Sequence, residues 1–163
     1  EKTEQVLGEA EQEAVIIPMV PEVQARSLEG KTVLLVDDDM RNIYAMSSIL
    51  ESEGMSVVLA INGKDAYGKA QSAYNTPDII IMDVMMPEMD GYEATRLIRQ
   101  LKGYEKTPII AITAKAMPGD REKCLQCGAS DYLSKPIVGE KLIAMMRFWL
   151  YNETNETVRT ELK

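Results

Sequence analysis

Three aspartates, a threonine and a lysine are the residues of this chain whose types and positions could do chemistry. Asp37 and Asp38 follow the apolar run Val33 to Val36, and Asp83 follows Ile79 to Met82. Thr113 ends the run begun by Ile109, and Lys135 comes just after Tyr132 and Leu133. Each polar group stands where an apolar run stops. If these runs are strands of one parallel sheet, all five groups share its carboxyl edge, where open α/β sheets bind ligands. Carboxylates about 5 Å apart repel by about 3 kcal/mol at an effective dielectric near 20, so the cluster calls for a cation. Hard oxygen donors with a water-rich shell suit Mg²⁺, which takes one or two carboxylates and leaves room for a phosphate oxygen. Lys135 adds an ammonium and Thr113 a hydroxyl around a carboxylate able to accept a phosphoryl group, a transfer that needs mainly positioning and charge neutralisation. Taken singly, each residue has a plain structural reading, a capped strand end or a surface charge; it is the shared edge that argues for chemistry.

The elements that must position these groups are legible from hydrophobic spacing. Ile79, Ile80, Ile81 and Met82 lack polar alternation, as in a strand covered on both faces, and Pro87 and Gly91 mark the loop beyond Asp83. After the acidic trio Asp37, Asp38 and Asp39, Ile43, Met46, Ile49 and Leu50 recur at helical spacing, with Gly54 as the stop. A short strand is expected over 55–60, then a helix capped by Asn62 with Ala66, Ala70 and Ala73 inward. Ala94, Leu97, Ile98 and Leu101 form another helical face; the next helix starts near Pro118, and the last, from about Gly139, turns Leu142, Ile143, Met146 and Trp149 inward. Five strands alternating with five helices predict a flavodoxin-like α/β fold, a doubly wound parallel sheet of order 2-1-3-4-5 with helices on both faces. The switch point of that order lies between strands 1 and 3, the strands that end in Asp37, Asp38 and Asp83.

Composition removes other classes. The chain has 163 residues, a formal net charge of −8 and no histidine. Without basic stripes a nucleic-acid surface is not expected, and without histidine there is no His-based triad, His-ligated metal or internal phosphohistidine. No stretch reaches the roughly 20 apolar residues of a membrane span. Cys124 and Cys127 form a CLQC pair at the end of a helix, whereas redox pairs favour a helix N-terminus, and a zinc site lacks a second ligand pair. Residues 1–30 read as a linker or appendage, acidic at first and then apolar but broken by Pro18 and Pro21; Val6, Leu7, Ala10 and Ala14 could form one short amphipathic helix. The start on Glu1 without Met suits a piece of a longer polypeptide. The domain proper is expected over 31–151, with 152–163 a polar, frayed tail, and the expected location is the cytoplasm.

The segments VLLVDDD, DIIIMDVMMPEMDG, PIIAITA and DYLSKP, in that order and spacing, resemble the receiver (response-regulator) domains of two-component signalling over residues 31–150. The resemblance implies that Asp83 is the phosphoacceptor, that Asp38 ligates Mg²⁺ directly, that Asp37 assists through water, and that the Met85 carbonyl completes the protein ligands. It implies that Lys135 pairs with the phosphoryl oxygens, that Thr113 and Tyr132 switch on phosphorylation, and that the Lys135–Pro136 bond is cis. Met85 and Lys115 would tune hydrolysis, and Met85, with no side-chain hydrogen bond for an attacking water, implies a long-lived phosphoaspartate. DDDMRN and AMMRFWLY are similar to receivers of hybrid sensor histidine kinases, so the implied partner is a phosphohistidine-bearing kinase or phosphotransfer domain. The rivals are a haloacid-dehalogenase-like aspartyl phosphotransferase, which wants an Asp where Met85 stands, a nucleotide or flavin module, which wants a phosphate-cradling loop after the first strand, and a degenerate receiver used for docking.

Overall fold

The strand that carries Asp83 lies in the middle of the molecule because its side chains have core on both sides. β3 (Ile79–Asp83) is buried along its whole length, as is β4 (Ile109–Thr113) beside it. In the computed structural model, which describes residues 27–114 and 117–161 with side chains as far as Tyr151, β1 (Thr32–Val36), β2 (Ser56–Ala60) and β5 (Asp131–Ser134) complete a parallel sheet of order β2-β1-β3-β4-β5. The expected order is the observed one. Val36 pairs with Met82 and Asp83 with Ile112, so the strand ends fall at one level.

Alternation along the strands divides the interior in two. Val33, Leu35, Ile79, Ile81, Ile110 and Ile112 face α1 (Met40–Ser52) and α5 (Gly139–Glu161), which contribute Met46, Leu50, Leu142 and Met146. Leu34, Val36, Ile80, Met82 and Ile109 face α2 (Gly63–Ser72) and α3 (Gly91–Arg99), with Ala66, Ala70, Ala94 and Ile98. A smaller cluster under α4 (Asp120–Cys127) holds Cys124, Cys127, Ala111 and Val84. Apolar runs that bury both faces are what a sheet sandwiched between helices requires.

Local signals explain the helix ends. The Asp39 side chain caps α1 by accepting from the Arg41 N–H, and Asn62 caps α2 by accepting from the Asp65 N–H at 2.7 Å. Gly54 closes α1 with φ of 82°. Arg99, at the end of α3, donates to the carbonyls of Gly128 at 2.8 Å, Tyr104 at 2.7 Å and Thr107, and to the Ser130 hydroxyl at 3.2 Å, tying α3 to both flanking loops.

Several expectations need correction. The helix expected to fray beyond Tyr151 continues to Glu161, so residues 152–161 are backbone helix rather than tail. Leu28, inside the stretch read as a linker, is 0 % exposed and packs among Val33, Leu35, Leu50 and Met146. α4 starts at Asp120, after Gly119 at φ of 90°, rather than near Pro118. Ala73 is exposed, since α2 has already ended at Ser72. Trp149 is half-buried, its indole N–H donating to the Asp131 carboxylate at 2.9 Å. The short helix proposed within residues 1–30 falls outside the described residues.

Candidate functional site

Asp37, Asp38 and Asp83 come together at the carboxyl edge of the sheet with Lys135 beside them, and Thr113 ends the neighbouring strand. Asp37 follows β1 directly; its N–H donates to the Ala60 carbonyl and its Oδ1 accepts from the Asp39 N–H at 2.8 Å, so a turn fixes its direction. Asp83 is the last residue of β3, and the Val84 N–H donates to the Ile112 carbonyl, which keeps the chain paired to β4 beyond the carboxylate. The Lys135 N–H donates to the Thr113 carbonyl at 2.8 Å, which sets the start of its side chain beside the end of β4.

Carboxylate oxygens of Asp37, Asp38 and Asp83 lie within 4.8 Å of one another. Asp37 and Asp83 are buried, while Asp38 faces solvent. Lys135 Nζ stands 3.4 Å from Asp83 Oδ1 and 3.9 Å from Asp37 Oδ2. These distances are ion-pair contacts, yet neither oxygen accepts a hydrogen bond. Buried oxygens without a donor are costly and uncommon. Three carboxylates against one ammonium leave a formal charge of −3 + 1 = −2 when all are ionised, which one divalent cation would balance. The donor set is all oxygen and open to solvent at Asp38, as Mg²⁺ with retained waters requires. Asp37, Asp38 and Asp83 therefore fit that ion.

The electrostatics agree. Burial, and then the charge of Asp37, push the Asp83 carboxyl up to about 6, while Lys135 and the Met85 N–H pull it down. The carboxylate is held in a form that a nearby positive charge would stabilise.

The remaining residues singled out in the sequence fall as follows. Thr113 is buried at the end of β4, and its hydroxyl donates to the Leu133 carbonyl at 3.5 Å, toward β5 rather than toward Asp83. Tyr132 is half-buried on β5 and packs with Tyr92 against the Val84, Ala111 and Cys124 cluster. Met85 projects into solvent two residues beyond Asp83. The Lys135–Pro136 peptide is cis, as expected. Lys115 lies outside the described residues.

Sequence reasoning placed Gly91 in the loop beyond Asp83 but missed its packing against the end of β3. Its N–H donates to the Val84 carbonyl at 3.0 Å, and a Cβ there would stand 2.2 Å from the Asp83 carbonyl oxygen. The loop returns so tightly onto the end of β3 that only a hydrogen fits. Asp90 then caps α3 by accepting from the Glu93 N–H at 2.9 Å. An MDG sequence ahead of a helix signals such a cap, but the contact with the strand end exists only once the loop has folded back.

Comparison with known proteins places this site in a family. Residues 33–147 match the response regulator receiver domain. The signal transduction histidine-protein kinase BarA of Escherichia coli K12 is 44% identical over 111 residues, 68% of this chain and 12% of that protein. The chain therefore spans a small part of that relative. The polar-differentiation response regulator DivK of Brucella anthropi is 33% identical over 120 residues, covering 74% of this chain and 96% of DivK. Among solved structures, the receiver domain of sensor histidine kinase PA1611 from Pseudomonas aeruginosa PAO1, which has a magnesium ion coordinated in its active site cleft, superposes with a TM-score of 0.68 at 40% identity. The alignment covers 74% of this chain and 98% of that domain. With its parallel sheet of order 2-1-3-4-5 and three carboxylates gathered at the carboxyl edge, the chain belongs to the response regulator receiver domains, a receiver of two-component phosphorelay signalling.

Proposed function

We propose that Asp83 accepts a phosphoryl group from a phosphohistidine and that Asp37, Asp38, Asp83 and the Met85 carbonyl hold Mg²⁺ beside it. The observation that carries this reading is the buried, hydrogen-bond-free Oδ1 of Asp83, 3.4 Å from the Lys135 ammonium within a cluster of three carboxylates. The bound cation would supply charge neutralisation on the transferring phosphoryl oxygens. An Asp83 oxygen attacks phosphorus, the P–N bond to the donor imidazole breaks, and the imidazole leaves as a neutral ring after taking a proton. Lys135 is placed to pair with the phosphoryl oxygens once they arrive, and Thr113 would turn its hydroxyl from Leu133 toward them. Tyr132, packed beside Ala111 and Cys124, would follow by moving inward. The chain contains no histidine, so the donor histidine lies outside these 163 residues, on a kinase or phosphotransfer domain.

The similarity to BarA and to the PA1611 receiver supports a hybrid sensor histidine kinase as the parent protein, with residues 1–30 as a linker or appendage and the cytoplasm as the compartment. No helix among the described residues is long and apolar enough to cross a membrane. A docking-only receiver is disfavoured because the carboxylates and Lys135 are all present in one pocket, and a haloacid-dehalogenase-like reaction is disfavoured by the apolar Met85. Labelling with acetyl phosphate and Mg²⁺ tests the reading. The native chain is expected to gain an acid- and hydroxylamine-labile adduct that Asp83→Asn lacks. Equal labelling of the variant, or none of the native chain, overturns it.

A further inference from the structure

We propose that the exposed methionines around the acidic pocket, Met40, Met85 and Met117, are an oxidant-sensitive modification site, and that sulfoxide formation at Met85 shortens the life of the phosphoryl group on Asp83. The second half rests on the reading of Asp83 given above.

The distribution of sulfur in the fold carries the proposal. Met40, Met85 and Met117 are 63%, 68% and 58% exposed. Met46, Met55, Met82, Met86 and Met146 are buried, and Met89 and Met145 are partly buried against the two cores. The three open thioethers follow β1, β3 and β4, three neighbouring strands, Met40 as the first residue of α1 and Met85 and Met117 on loops, so all stand on the carboxyl edge where Asp37, Asp38 and Asp83 converge. The thiols are elsewhere. Cys124 and Cys127 are closed within the α4 cluster, and burial raises both above the ordinary thiol value, which keeps them protonated and out of reach. An oxidant arriving from solvent therefore meets thioethers at the pocket rim before it meets a thiol.

The reaction is a two-electron oxygen transfer from a peroxide. A sulfur lone pair attacks one peroxide oxygen, the O–O bond breaks, an S–O bond forms, and the second oxygen leaves as water after proton transfer; sulfur is oxidised and the peroxide reduced. The product is polar, and reductases return it to the thioether. At Met85 that change falls beside the reacting group, since Met85 stands two residues beyond Asp83 on the exposed loop that leaves β3. A thioether is a weak acceptor that does little to hold water. A sulfoxide oxygen accepts strongly, so it can bind and aim a water at the acyl phosphate.

The intact chain is treated with hydrogen peroxide, freed of it, mapped by peptide mass, charged with acetyl phosphate and Mg²⁺, and followed as the label decays. Met40, Met85 and Met117 are expected to gain one oxygen each ahead of the buried methionines. Decay is expected to quicken roughly fivefold, the effect of one added hydrogen bond in the transition state. Met85→Leu, treated alike, should decay as its own untreated form does, and Met85→Gln should decay faster than native without oxidant. Uniform oxidation of buried and exposed methionines, an unchanged decay after treatment, or the same acceleration in Met85→Leu overturns the proposal. An untreated chain that takes no label overturns the reading of Asp83 and this inference with it.

Discussion

Asp83 is an acid held where its charge is least comfortable. Its carboxyl rises from the ordinary 3.8 to about 6 because burial and Asp37 both oppose ionisation, a difference of up to about 3 kcal/mol. The folded chain thus holds a proton that the unfolded chain has released, so between roughly pH 4 and pH 6 the stability of the metal-free protein falls as pH rises. Thermal melts in chelator should be higher near pH 5 than near pH 7, the gap should shrink in Asp83→Asn, and Mg²⁺ should raise the melt at pH 7. A higher melt at pH 7 in chelator would refute this. Met85 invites a kinetic test: Met85→Asn places a hydrogen-bonding group beside the acyl phosphate and should shorten its half-life severalfold, whereas an unchanged half-life removes the side chain from the account. These residues were legible in the sequence because each stands at the end of an apolar run. Thr113 ends β4 as its spacing predicts, and the resting direction of its hydroxyl, toward the Leu133 carbonyl, is set by packing rather than by spacing.

At the scale of elements, β1, β3 and β4 were readable because a strand buried on both faces shows unbroken Val, Leu and Ile. The end of α5 was not, because NETNETVRTE carries no apolar stripe and so no helical period to read. The loop from Val84 to Asp90 is where local sequence said least and geometry demands most. Gly91→Ala would drive a methyl into the end of β3, at a cost of roughly 1–3 kcal/mol, and should lower the melting temperature and slow Mg²⁺-dependent labelling together. Normal labelling with a lowered melt would mean that the loop adjusts without disturbing Asp83.

At the scale of the molecule, one sheet serves two separate cores, and the pocket sits at the edge where they meet. The α1 and α5 core is closed from below by Leu28, which the sequence hid as a lone leucine in a polar stretch. Leu28→Ala should cost about 2–4 kcal/mol, visible as a lower thermal midpoint, while leaving the acetyl phosphate reaction intact at low temperature. No change in midpoint would mean that the floor of the core tolerates a void.

Leu28 also has a mechanical meaning. The Tyr151 hydroxyl donates to the carbonyl of Ser27, so one residue is moored to the last helix and the next is wedged beneath the sheet. A tug on the polypeptide from upstream would reach Val33 and Leu35 through that wedge before it could act on any exposed surface. A pull on the chain at Ser27 would thus load the interior of the domain, like a rope knotted to the keel rather than to the rail.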